Sequence, residues 1–241
     1  MKTIHVMGDL HGNVYFLNKY LQEYYPDVLI ILGDCAFYWM GQQKVLDEVI
    51  ISDNSKVYWL PGNHESWNII ESKYGRYGES PIEIKRGLFY CPIGSSIIIN
   101  NYRIIFIGGA NSIDKQYRTE GVTWFKQEIL TLDDLNYIQE VNSLQSSYKT
   151  IICSHTCPLE FDIERALGFN ELVKESDPTR KILSHILQVY HPEYWFGGHW
   201  HFYRGGKIKG TTWQMLDCAD VYNYRTGKPK SLGTLDITYI F

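Results

Sequence analysis

Five short segments of the chain carry side chains suited to metal binding or proton transfer: Asp9 and His11 in GDLHG, Asp34 in GD, Asn63 and His64 in GNHE, His155 in SH, and His199 and His201 in GHWH. Residues two apart on an extended backbone face the same side, so His199 and His201 could aim both rings at one point. Such a pair alone more often serves packing or the surface, and it gains meaning only from matching donors elsewhere. Those donors are present. Asp9, His11, Asp34, Asn63, His155, His199 and His201 offer oxygen or imidazole atoms and require no thiolate, a set that suits Mn²⁺, Fe or Zn²⁺ and not an iron–sulfur cluster. Seven ligands exceed one tetrahedral site but fit two adjacent ions that share a carboxylate. Asp34 is the candidate bridge, because it stands alone whereas Asp9 and His11 can chelate together.

A charge count follows. Two divalent ions balanced by only Asp9 and Asp34 keep a surplus of two positive charges, and the neutral Asn63 preserves it. That surplus would draw a phosphate to a chain whose formal net charge is −4. Ions about 3.5–4 Å apart can activate a shared water and clamp phosphoryl oxygens during in-line displacement.

Each donor needs an element to place it. TIHVMGD, VLIILGD, KVYWLPGNHE, KTIICSH and EYWFGGHWH are compact apolar runs, as expected of strands buried on both faces, and each stops where a donor begins. In sheets of this kind, sites form at the carboxyl ends of strands. Between the runs, apolar periodicity predicts helices over Asn13–Tyr25, Gln42–Ile51, and Thr123–Leu130 followed by Leu132–Leu144. A further helix is expected after Asp177 as N-cap with Pro178 in its first turn. SIIINNYRIIFIGG reads as a hairpin turning at Asn100 and Asn101. Trp67–Arg86 is polar and Tyr/Gly-rich and reads as a loop with a short helix. Alternating strands and helices followed by hairpins give an α/β class with mixed sheets.

The ordered blocks GDLHG, GD, GNHE, SH and GHWH, spanning residues 8–201, resemble the signature of the calcineurin-like metallophosphoesterases. The resemblance implies two mixed β-sheets packed face to face with helices outside. It also implies hydrolysis of a phosphate monoester or diester by a metal-bridging hydroxide at two divalent ions, Mn²⁺ or Fe/Mn or else Zn²⁺. It would place Asp9, His11, Asp34 and His201 on one ion, and Asp34, Asn63, His155 and His199 on the other. His64 matches the family's histidine beside the metals, which stabilises the transition state or protonates the leaving oxygen. One departure narrows the reading: GDCAFYWMG stands where protein Ser/Thr phosphatases carry further acidic and arginine residues. That disfavours the protein phosphatase branch, and Phe37, Tyr38 and Trp39 are either a stacking wall or core. The alternatives are a nucleotide phosphodiesterase or nuclease of the same fold and a non-catalytic scaffold, the latter opposed by the filled ligand set.

Other residues carry less. Arg118, Arg204 and Asn13 are candidate substrate contacts, and Glu65 could orient its neighbours through hydrogen bonds. Cys153 and Cys157 flank His155 at a spacing that zinc permits, but buried inert thiols are the simpler role. Composition bounds the rest. The 241 residues show no internal boundary and are expected to form one domain over 1–241; the 23 basic and 27 acidic residues promise no long nucleic-acid contact. The expected partner is a small phosphate ester or nucleotide. An odd five cysteines and no membrane-length apolar run lead to the expectation of a reducing, cytoplasmic setting, with no membrane partner.

Overall fold

The computed structural model describes residues 2–41, 43–142, 147–161, 163, 177–218, 233–236 and 239–240. Two mixed sheets lie face to face with helices outside them, the α/β architecture expected from the sequence. The first sheet contains β1 (Ile4–Met7), β2 (Val28–Ile31), β3 (Lys56–Trp59), β4 (Ile82–Lys85), β5 (Leu88–Tyr90), β12 (Gly233–Asp236) and β13 (Tyr239–Ile240), in the order β13-β12-β1-β2-β3-β5-β4. The second contains β6 (Ser96–Ile99), β7 (Tyr102–Ile107), β8 (Lys149–Ser154), β9 (Tyr194–Gly197), β10 (Arg204–Ile208) and β11 (Thr211–Met215), in the order β10-β11-β9-β8-β7-β6. The centre of each sheet is parallel: β1, β2, β3 and β5 in one, and β7, β8, β9 and β11 in the other.

The continuous apolar runs of these strands follow from their double burial. Alternate residues enter different cores. Ile4, Val6, Val28, Ile30, Tyr58, Ile104, Phe106, Ile151, Cys153 and Phe196 meet between the sheets. Met7, Leu29, Ile31, Val57 and Trp59 turn the other way, onto α1 (Val14–Tyr24) and α3 (Trp67–Tyr74). Ile105, Ile107, Ile152, Trp195 and Trp213 pack on α4 (Leu132–Val141) and α5 (Pro178–Tyr190). Each fully buried aliphatic side chain contributes about 1.5–3 kcal/mol, so strands with no polar face are the ones this layering holds.

Helix ends match their signals where a cap is present. Asn13 accepts from Phe16 N at 3.1 Å and starts α1, which ends at Tyr25 in the left-handed region. Asp177 accepts from Arg180 N and starts α5, with Pro178 in its first turn. Thr131 and Asp134 form a reciprocal capping box at α4. The turn of the β6–β7 hairpin has φ of 50° at Asn100 and 78° at Asn101.

Three segments differ from expectation. Helix α2 covers only Lys44–Asp47, because the Asn18 side chain takes Glu48 O at 2.9 Å and Ile50 N at 2.8 Å, diverting the backbone groups a longer helix would use. Gln42 and Leu144, the outer bounds of two expected helices, lie outside the described residues. The Thr123–Leu130 segment holds a single 3₁₀ turn at Lys126–Glu128, because the Glu128 carboxyl accepts from Trp124 Nε1 and from the Ser112 backbone N–H. Trp67–Arg86 contains the short helix α3 but also the strand β4, whose antiparallel pairing with β5 its polar sequence did not announce.

Candidate metal centre

The donors stand just past the carboxyl ends of the parallel strands: Asp9 after β1, Asp34 after β2, Asn63 and His64 after β3, His155 after β8, and His199 and His201 after β9. His11 joins them because its backbone N–H donates to Asp34 O at 2.6 Å, folding the loop after β1 over the neighbouring strand end. Gly8, Gly33, Gly62 and Gly198, beside these donors, have no room for a side chain. A Cβ at Gly62 would meet the Asp34 carboxylate and the His155 ring, and one at Gly198 would meet the Asp9 carboxylate. Four donors themselves sit in left-handed backbone, with φ of 47° at His11, 48° at Asp34, 71° at His199 and 52° at His201. None is glycine, and such strain gathers at functional sites.

Two groups of donor atoms result. One joins Asp9, His11, Asp34 and His201, the other Asp34, His155 and His199, with the ligand atoms of each within 4.8 Å of one another. Asp34 belongs to both. Asn63 adds its carbonyl to the second group, with Oδ1 at 3.0 Å from His155 Nε2 and 2.9 Å from His199 Nδ1. In the first, His11 Nε2 lies 2.9 Å from His201 Nε2, which is 3.1 Å from Asp9 Oδ2. Adjacent ligands about 2.1 Å from one octahedral ion lie about 3.0 Å apart, so the donor set fits a shared cation in each group.

Surrounding hydrogen bonds orient the donors. His155 Nδ1 donates to Leu32 O at 2.6 Å, which fixes the ring with Nε2 facing Asn63 and Asp34. His199 N donates to Asp9 Oδ1 at 2.8 Å, and His64 N to Asp34 Oδ1 at 2.8 Å. The wholly buried Glu65 accepts from Cys35 N and Gly62 N, each at 2.6 Å, and from Ala36 N at 3.2 Å, tying the loops that carry Asp34 and Asn63. Burial and nearby Asp34 push the Glu65 carboxyl up to about 8. Burial also opposes the charge on Asp34, but His155, His64 and His11 hold its carboxyl well below the usual range. Burial lowers His199 far below the ordinary imidazole value and keeps its ring neutral. For His155 burial works in the same direction, yet Asp34 and Asp9 outweigh it and push the ring up to about 10.

A cavity of about 380 Å³ opens over the donors, lined by Asp34, Asn63, His64, His199 and His201 together with Ile113, Asp114, Arg118 and Trp200. Arg118, anchored by Asp114 at 2.8 Å, reaches His64 Nε2 at 3.0 Å. A guanidinium only donates, so His64 accepts at Nε2 in this arrangement. Burial lowers the His64 value, and Arg118 adds to the effect. Arg204 opens β10 and Asn13 caps α1; neither lines this cavity. Phe37 and Tyr38 are core, packed on Trp59, and only Trp39 of the aromatic stretch meets His64, with ring centres 5.3 Å apart. Cys153 faces the inter-sheet core and Cys157 the helix-side core, so the two thiols cannot converge on one ion. Sequence reasoning passed over Asp114, Ser112 and Glu128, which occupy no motif and are near the donors only because the loop after β7 folds back.

Fold and site together define a phosphoesterase. Residues 2–203 match the sequence profile of the calcineurin-like phosphoesterases, and the chain belongs to that family. Among solved structures it is similar to the phosphopantetheinyl hydrolase PptH from Mycobacterium tuberculosis, with 17% identity, 99% of this chain and 98% of that one covered, and a TM-score of 0.55. It is also similar to TT1561 of Thermus thermophilus, with 12% identity, coverage of 90% and 89%, and a TM-score of 0.50. These likenesses concern the fold. No curated protein matches the chain in sequence.

Proposed function

We propose that the chain is a binuclear metal-dependent hydrolase of a small phosphate monoester or diester. The observation that carries this reading is Asp34 shared between two donor groups at the floor of one cavity. Asp9, His11, Asp34 and His201 would hold one divalent ion, and Asp34, Asn63, His155 and His199 the other; Mn²⁺ or an Fe/Mn pair suits the oxygen and imidazole donors, as does Zn²⁺. When bound, the ions supply Lewis-acid activation of water and of the phosphoryl oxygens. The chain's own residues do the rest. Arg118 offers a guanidinium fork to phosphate oxygens, fixed in direction by Asp114. His64 stands beside it as the proton carrier: to protonate a leaving oxygen from Nε2 it must release Arg118 and take up a proton there. Arg204 and Asn13 rank below Arg118 as substrate contacts, since neither borders the cavity.

The cavity volume suits a small ester or a nucleotide rather than a protein surface, and buried Phe37 and Tyr38 supply none of the phosphate contacts of a protein Ser/Thr phosphatase. A non-catalytic scaffold would have no use for four ligands in left-handed backbone. No described helix is long and apolar enough to cross a membrane, and five free, buried thiols suit a cytoplasmic setting. The test is hydrolysis of aryl phosphate mono- and diesters with Mn²⁺. Metal-dependent turnover is expected, and full rates in Asp34→Asn and His155→Ala would overturn the reading.

A further inference from the structure

Asn63 differs from the other donors: its amide must present oxygen, not nitrogen, to the centre. A chain of hydrogen bonds behind it determines which. Asn63 Nδ2 donates to Ser112 Oγ at 3.1 Å. Ser112 Oγ thereby draws the amide nitrogen away from the centre and leaves Oδ1 facing His155 Nε2 and His199 Nδ1. Glu128 is held in turn by Ser112 N at 2.9 Å and Trp124 Nε1 at 3.0 Å, both on Oε1. Ser112 and Glu128 are buried, at 1% and 0% exposure, and Glu128 Oε2 has no hydrogen-bond partner. Glu128 Oε1 anchors the Ser112 backbone, and that anchor keeps Ser112 Oγ behind Asn63 as the acceptor of its amide.

We infer that Ser112 and Glu128 are positioning residues that lock the Asn63 amide with its oxygen toward His155 and His199, and so set the affinity of the second ion. The inference rests on the two-ion reading. Neither residue touches the cavity, and reversal of the amide would turn Asn63 Nδ2 toward the imidazole nitrogens and remove one ligand.

Mn²⁺ titration of the full chain, by calorimetry and by the exchange-coupled Mn–Mn signature in electron paramagnetic resonance, tests it. Wild type is expected to take up two ions. Ser112→Ala should weaken one of them about 10–100-fold, the usual effect of removing such a partner, leave the other unchanged, and lose the coupled signature at limiting metal. Glu128→Ala, which removes the anchor of the Ser112 backbone, should weaken the same ion, and the double variant should fall no further than Ser112→Ala, because both act through one chain. Circular dichroism of the metal-free variants checks folding; if Ser112→Ala does not fold, Glu128→Ala alone decides. Two-ion binding of native affinity in a folded variant overturns the inference and leaves the phosphoesterase reading intact. A wild-type chain that binds fewer than two ions overturns both.

Discussion

At the scale of single residues, the donors and their partners have separable effects. His64→Ala is expected to lower kcat about 10²–10⁴-fold, the range for loss of a positioned proton carrier, with unchanged Mn²⁺ stoichiometry by atomic emission. Arg118→Ala should raise KM for the phosphate ester as well, because its fork faces the cavity beside His64. Glu65→Ala orphans three backbone donors in the interior, at a cost of about 1–3 kcal/mol for each unsatisfied group, and urea unfolding should show a loss of at least about 3 kcal/mol. The convergence of the seven candidate donors with His64 was legible before the fold was known, because each follows a strand-like apolar run and the blocks keep their order. Ser112 and Glu128 were not. Their roles depend on the loop after β7 returning to the end of β3, and nothing in a polar segment between two strands encodes that return.

Among the elements, the join between α3 and α4 depends on one buried pair. Arg76 holds Asp134 at 2.7 and 2.9 Å while also bonding Glu71 at 2.8 Å and Gln127 O at 2.7 Å. Burial opposes the charge on Asp134, but Arg76 and Thr131 hold its carboxyl below the ordinary 3.8. The folded value lies below the unfolded one, so this stabilisation is present above pH 3.8 and is lost as pH falls through the depressed value. Arg76→Ala should cost about 3–5 kcal/mol by leaving a buried carboxylate unpaired, and should remove this part of the acid transition in pH-dependent melting curves. The N-cap of α5 behaves oppositely. Burial pushes Asp177 up to about 6 from 3.8, so the folded state keeps a proton the unfolded chain has lost, and this group's contribution to stability declines as pH rises through that window. Asp177→Asn keeps the cap and should flatten the profile between about pH 4 and 6, whereas Asp177→Ala should lose about 1 kcal/mol throughout. The caps of α1 and α5 and the hairpin turn could be read in advance, since short-range chemistry fixes them. The truncation of α2 could not, because Asn18 reaches it from another helix.

For the whole molecule, the two sheets carry their strand ends to one edge and hold them there through the shared inter-sheet core. Ions bound at that edge should stabilise every layer through mass action, by about 2.7 kcal/mol at a hundredfold excess over Kd. Chelator treatment should therefore lower Tm, and added Mn²⁺ should restore it in a concentration-dependent way. Backbone tension at four of the donors adds a historical consequence. A lineage released from the need for this centre would gain resistance to unfolding by letting His11, Asp34, His199 and His201 drift to glycine or asparagine, which tolerate that twist at little cost.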